Sequence, residues 1–159
     1  MQTQVNPIPQ GYHSITPYLV VKDAARAIEF YKMAFGAKEL FRMEMPNKMI
    51  GHCELQIGDS RIMLADEFPD MGATAPTSEG GRAFSLLIYV NNVDEMFKRA
   101  VDAGAKVLRP LKDEFYGDRM GTLQDPFGHN WNLGMHVEDV SEEELKNRAD
   151  EMWRQQSNQ

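Results

Sequence analysis

Tyr18-Leu-Val-Val-Lys-Asp-Ala-Ala-Arg-Ala-Ile-Glu-Phe-Tyr-Lys32, closed by Gly36-Ala-Lys-Glu-Leu40, decides the fold because the chain carries it twice. The second version is Leu87-Ile-Tyr-Val-Asn-Asn-Val-Asp-Glu-Met-Phe-Lys-Arg-Ala-Val101, at a shift of 69 residues, closed by Gly104-Ala-Lys-Val-Leu108 at a shift of 68. Each reads as apolar strand, amphipathic helix, glycine and second strand. In the first, Asp23 caps a helix whose buried face carries Ala24, Ala27, Ile28, Tyr31 and Phe35, at i, i+3, i+4 spacing, and Gly36 stops it. Val93, Met96, Phe97, Ala100 and Val101 form the matching stripe, ended by Gly104. A repeat of this length implies two equivalent units stacked on one another, with a groove between them as the natural place for a site.

Outward from these stretches, residues 14–21 read as a strand that Pro17 pushes toward a sheet edge or its own beginning. Strands follow at 38–45, 49–57 and 60–66, the last two joined by the Gly58-Asp59 turn. In the second copy the strands fall at 83–90, 106–112, 119–124 and 130–136. The class is therefore α+β: two tandem βαβββ units, 13–66 and 83–140, forming a cupped mixed sheet. Residues 1–12 are an N-terminal extension. The Gly- and Pro-rich segment 67–82 is either a mobile lid or a passive linker. In 141–159 a capping box, Ser141 to Glu144, opens a helix with Leu145, Ala149, Met152 and Trp153 on one stripe, expected to dock on its own subunit or a neighbour.

The 159 residues, 42% hydrophobic and 26% charged, suit one domain or two half-domains sharing a core. A net charge of -7 argues against nucleic acid or an anionic membrane as partner. The single cysteine, Cys53, forms no internal disulfide; Met1 to Gly11 lacks the apolar segment of a secretion signal. No run approaches the ~18 apolar residues of a membrane span, so a reduced, cytoplasmic setting is expected. The eleven methionines suit an adaptable binding cavity or, more simply, core gaps.

Gly51-His-Cys-Glu-Leu-Gln-Ile57 alternates cleanly: Cys53, Leu55 and Ile57 to one side, His52, Glu54 and Gln56 to the other. The apolar set belongs under the helices, which turns the polar set toward the cup. His52 and Glu54 are spaced to chelate one ion or to act as a base and its orienter; equally, such a face is a solvated groove wall. In a dry apolar cup the Glu54 pKa would rise, which suits proton transfer. Thr16, Tyr18, Ser85, Leu87 and Tyr89 share the cup-facing phase of the two first strands and offer hydroxyls and aromatic surface to a small organic molecule. The plainer alternative makes both tyrosines amphipathic core residues. Arg119 is placed to anchor an anionic group, or to pair with Asp118 or Glu114. Asp125-Pro-Phe-Gly128 reads as a turn, leaving His129, His136 and also His13 as turn or surface residues. Cys53 has no base in phase and is no nucleophile. Phosphate loops, dinucleotide fingerprints and paired Cys/His motifs are absent.

The strand-helix-three-strand unit in tandem resembles the vicinal oxygen chelate superfamily of glyoxalase, bleomycin-resistance, fosfomycin-resistance and extradiol dioxygenase proteins. Val21-Lys-Asp-Ala-Ala-Arg-Ala-Ile-Glu-Phe-Tyr31 is similar to that family's first helix; Ile57-Gly-Asp-Ser-Arg-Ile-Met-Leu-Ala-Asp-Glu67 and Asp125-Pro-Phe-Gly-His-Asn-Trp-Asn-Leu133 resemble its PhnB-like branch. The likeness spans residues 13–140. It implies four metal-ligand positions, falling here on Thr16, Glu54, Ser85 and Asn132, where metal-using members carry histidines and carboxylates. One good ligand of four leaves the usual site dismantled. No cofactor is expected beyond a weakly held divalent ion at His52 and Glu54. The resemblance implies a homodimer that binds a small organic molecule in the cup. The alternatives are a glyoxalase-like lyase or isomerase, with Glu54 as base and His52 as partner, and a structural interaction module using the C-terminal helix.

Overall fold

Two β-α-β-β-β runs follow one another in the computed structural model, which describes residues 5–77 and 84–158. The first contains β1 (Tyr18–Val21), α1 (Ala24–Phe35), β2 (Lys38–Glu44), β3 (Ile50–Ile57) and β4 (Ser60–Asp66). The second contains β5 (Leu86–Tyr89), α2 (Val93–Asp102), β6 (Lys106–Asp113), β7 (Asp118–Gln124) and β8 (Asn130–His136), and α3 (Glu142–Ser157) follows. Each run makes its own four-stranded mixed sheet, ordered β1-β4-β3-β2 and β5-β8-β7-β6. The first strand of each lies parallel to the fourth, and the other pairs are antiparallel. Both first strands are edges. The first begins only after Pro17, which has no N–H to donate but whose carbonyl accepts from Met63 N–H at 2.9 Å.

The Asp23 carboxylate accepts from Arg26 N–H at 3.3 Å at the head of α1, and Gly36, at φ 65°, takes the left-handed turn that ends it. All five residues of the expected stripe are buried, with Phe30 and Ala34 beside them. In α2 only Val93 and Ala100 are buried, while Met96 and Phe97 are half-buried. Val101, expected in that stripe, is 37% exposed. At 3.6 residues per turn it sits about 80° round from Val93, on the margin of the covered face.

The two runs share one core. Phe35 and Tyr31 of α1 pack on Trp131 of β8, with ring centroids 4.8 and 5.4 Å apart. The buried Asp125 carboxylate accepts from Tyr31 Oη–H at 2.6 Å, Trp131 Nε1–H at 2.8 Å and the backbone N–H groups of Phe127 and His129. His129 Nε2 lies 3.0 Å from the Val20 carbonyl oxygen, so the residue read as a simple turn position also ties one run to the other. A second buried carboxylate, Asp66, accepts from Ala24 N–H and Ile50 N–H, both at 2.8 Å, and aligns the starts of α1 and β3.

After β4 the chain makes a short 3₁₀ turn, Pro69–Met71, closed by a bridge between Phe68 and Ala73. Ala75 N–H donates to the Glu67 carboxylate at 2.6 Å. Pro76 and Thr77 then run beside Lys22, Asp23 and the Asp125–Gly128 turn. The rest of the expected lid or linker, 78–82, lies outside the described residues. No residue of α3 is buried; Arg148, braced within the helix by Glu144, fastens it to Glu138 and the Phe115 carbonyl. Among the described residues no helix is long and apolar enough to cross a membrane.

Candidate functional site

Alternation along β3 sends Cys53, Leu55 and Ile57 into the core and leaves His52, Glu54 and Gln56 on the opposite, cup-facing side. Tyr18 Oη lies 2.9 Å from His52 Nδ1, and His52 Nε2 lies 3.3 Å from Glu54 Oε1. With Glu54 ionised, Nε2–H donates to it and Nδ1 accepts the Tyr18 hydroxyl proton, giving one directed chain. The His52 and Glu54 side chains are 22% and 24% exposed, partly sheltered but open to a ligand. Phe41 stands opposite Glu54, and its ring centroid is 6.2 Å from that of His52. Gln56 donates to the Gly58 carbonyl at 3.1 Å and closes its own turn.

Tyr12, which carried no signal in the sequence beyond its position in a polar arm, reaches the same face. Its hydroxyl is buried toward the Glu54 carboxylate without a hydrogen bond of good geometry, and the Arg61 guanidinium lies over its ring at 4.9 Å. Burial, then the Glu54 carboxylate, pushes the Tyr12 phenol above its ordinary pKa. Burial likewise raises Tyr18. It pushes the Cys53 thiol up to about 11, so Cys53 is inert as a nucleophile.

Between the two sheets runs a groove of about 630 Å³. Thr16 and Pro17 ahead of β1, the Ile57–Ile62 turn, and Leu87 and Tyr89 of β5 form its walls, with Tyr12 and Trp131 contributing. Three residues expected on the cup phase, Thr16, Leu87 and Tyr89, therefore meet around one cavity. Asn132 stands opposite Leu87 on the same face of the second sheet; its Nδ2–H donates to Ser85 Oγ at 2.7 Å, and Thr122 Oγ1–H donates to Asn132 Oδ1 at 2.7 Å.

The sequence pattern of the Glyoxalase/Bleomycin resistance protein/Dioxygenase superfamily matches residues 11–145. The chain belongs to this superfamily. It is 43% identical over 136 residues to the uncharacterized protein Rv0887c of Mycobacterium tuberculosis, covering 84% of this chain and 80% of that one. Among solved structures, TioX from Micromonospora sp. superposes with a TM-score of 0.62 at 28% identity, covering 79% and 99% of the two chains. A PhnB protein from Bacillus cereus shares the fold, with a TM-score of 0.62 at 19% identity over 77% and 99%.

The superfamily's metal positions do not fit a metal here, and the registers correct the expected assignment. Glu54 lies on the third strand of its sheet, opposite Met63, whereas Asn132 lies on the fourth strand of the other, opposite Thr122. Asn132 pairs with Leu87 as Met63 pairs with Tyr18, so the counterpart of Asn132 is Met63 and that of Glu54 is Thr122. A thioether, an amide already bonded on both sides and two hydroxyls make a poor donor set for a divalent transition metal. Among the described residues no three His, Cys, Asp or Glu side chains are grouped so that they could hold a metal ion.

Arg119 is also corrected. It belongs to the helix-facing phase of β7, the phase on which a Cβ at Gly121 would strike Phe97 of α2. Its guanidinium donates to Asp94 of α2 at 2.8 and 3.0 Å and to Asp113 at 3.2 Å, rather than to Asp118 or Glu114. Arg119 therefore faces away from the cup. Asp118 instead accepts from Tyr89 Oη–H at 2.6 Å and bonds His136 Nδ1 at 2.8 Å, while His136 Nε2 bonds Asp139 at 2.7 Å. Burial favours protonated Asp118, but the hydrogen bonds from Tyr89 and His136 outweigh it and hold the carboxyl below its ordinary range. The Asp118 and Asp139 hydrogen bonds raise His136. The sequence hides this cluster because its members come from β5, β7, β8 and the following turn.

Proposed function

We propose that this protein holds a small organic molecule in the cup between its two repeats. The observation that carries the reading is the groove of about 630 Å³ around Thr16, Leu87 and Tyr89, where aliphatic and aromatic walls meet a few hydroxyls. The uncharged fluorophore N-phenyl-1-naphthylamine tests it. Saturable binding of one probe per chain, weakened about tenfold by Leu87→Asp, is expected, because a carboxylate in the wall opposes burial of an apolar ring. Binding that never saturates, or that Leu87→Asp leaves unchanged, removes the reading.

A second reading rests on the Tyr18–His52–Glu54 hydrogen-bonded chain. Glu54 serves as a general base toward a bound carbonyl compound, with His52 and Tyr18 orienting it, in a lyase or isomerase reaction that needs no metal in its proton step. Small α-hydroxyketones incubated with protein in deuterium oxide and followed by proton NMR give the measurement. Exchange at the α-carbon should fall on the order of a hundredfold in Glu54→Gln. Equal exchange in both proteins rejects Glu54 as the base.

A further inference from the structure

Arg109 reaches the cup through a break in strand register. On β6, Val107 stands opposite Leu123, on the side that faces the core and α2. Regular alternation would put Arg109 on that side as well. Instead Arg109 stands opposite Thr122, on the cup side, with Leu108 as the extra residue of a bulge. The first sheet has the same device: Glu39 opposes Leu55 and Phe41 opposes Glu54, with Leu40 extra. Phe41 and Arg109 are thus equivalent positions, and the second copy replaces an aromatic ring by a cation.

The concavity that receives Arg109 measures about 750 Å³. Leu87, Met120 and Met152 supply apolar surface, while Thr122 and Asn132 supply polar atoms beside Arg109. Among the described residues no carboxylate makes an ion pair with Arg109, whereas Glu114, the acid in the same cavity, has Lys112 at 3.5 Å. Asn132 gives one amide N–H to Ser85 and keeps a second for a ligand. In a chain of net charge -7, an unpaired guanidinium at the mouth of a largely apolar cavity marks a receptor for negative charge.

We propose that this concavity, which meets the groove described above at Leu87, takes a small organic anion, with its acid group on Arg109 and Asn132 and its apolar body on Leu87 and the two methionines. This rests on the small-molecule reading above and names the ligand class. The test compares 8-anilinonaphthalene-1-sulfonate with N-phenyl-1-naphthylamine, the same ring system with and without the sulfonate. Arg109→Gln should weaken the sulfonate probe about tenfold and leave the neutral probe unchanged, with Arg109→Lys retaining part of the loss. Unchanged sulfonate binding in Arg109→Gln overturns the anion site while the cavity stands. Equal weakening of both probes also overturns it, because Arg109 then acts on the shape of the cup. If neither probe saturates on the native chain, the cavity reading fails and this inference fails with it.

Discussion

Asp125 is one carboxylate serving four donors, two of them side chains that belong to different repeats. Asp125→Ala strands these donors in the core, and each buried donor without a partner costs about 1–3 kcal/mol. Urea denaturation should show a loss of at least about 3 kcal/mol, against about 1.5–3 kcal/mol for Tyr31→Phe, which removes a single charge-assisted bond. His136 gives the pH counterpart. Its raised pKa makes the contact with Asp118 stabilising below the ordinary value of 6.5, and this is lost as pH rises through the raised value. The lowered pKa of Asp118 makes its contribution present above 3.8 and lost as pH falls through the lowered value. NMR titration of His136 should therefore give a midpoint above 6.5 that moves back down in Asp118→Asn. A native midpoint at or below 6.5 contradicts the assignment.

At the scale of elements, Gly117 shows how local geometry holds this cluster. Its φ of 95° is in the left-handed region, and a Cβ there would collide with the Glu138 carbonyl oxygen. Its own carbonyl accepts from the N–H groups of Val137 and Glu138, which locks the turn after β8 against the start of β7. Gly117→Ala should cost roughly 1–3 kcal/mol by thermal denaturation and loosen His136 from Asp118, seen as a shift of its NMR titration toward 6.5. The helices and strands around it were legible in the sequence because glycine stops and the two periodicities are local signals. The bulges at Leu40 and Leu108 were not, since a one-residue slip in pairing leaves composition and spacing untouched. Assigning Glu54 and Asn132 to equivalent strands failed for a related reason: a β3 and a β8 position look alike until the partner strand is known.

For the whole molecule, the exposed apolar side chains bear on assembly. Phe41, Met43 and Trp153 are 51%, 51% and 59% exposed, and large apolar side chains left in water favour association where they lie together. The first two belong to the outer strand of the first sheet and Trp153 to α3. A homodimer closed over the sheet faces predicts a mass near twice 18.1 kDa by light scattering, retained when the chain is cut after Val140. Because α3 buries no residue, that truncation should also leave the thermal midpoint within a few degrees. A monomer after truncation would place the interface on α3 instead.

The sequence by itself determined the duplicated βαβββ plan, the buried stripe of α1 and the polar phase of His52, Glu54 and Gln56, because each follows from periodicity within one segment. Only the tertiary structure decided that Tyr12 reaches Glu54, that Arg119 turns to Asp94 while Arg109 turns into the cup, and that Tyr89, Asp118 and His136 meet. Those outcomes depend on strand register and on contacts between distant segments, and no local spacing encodes either.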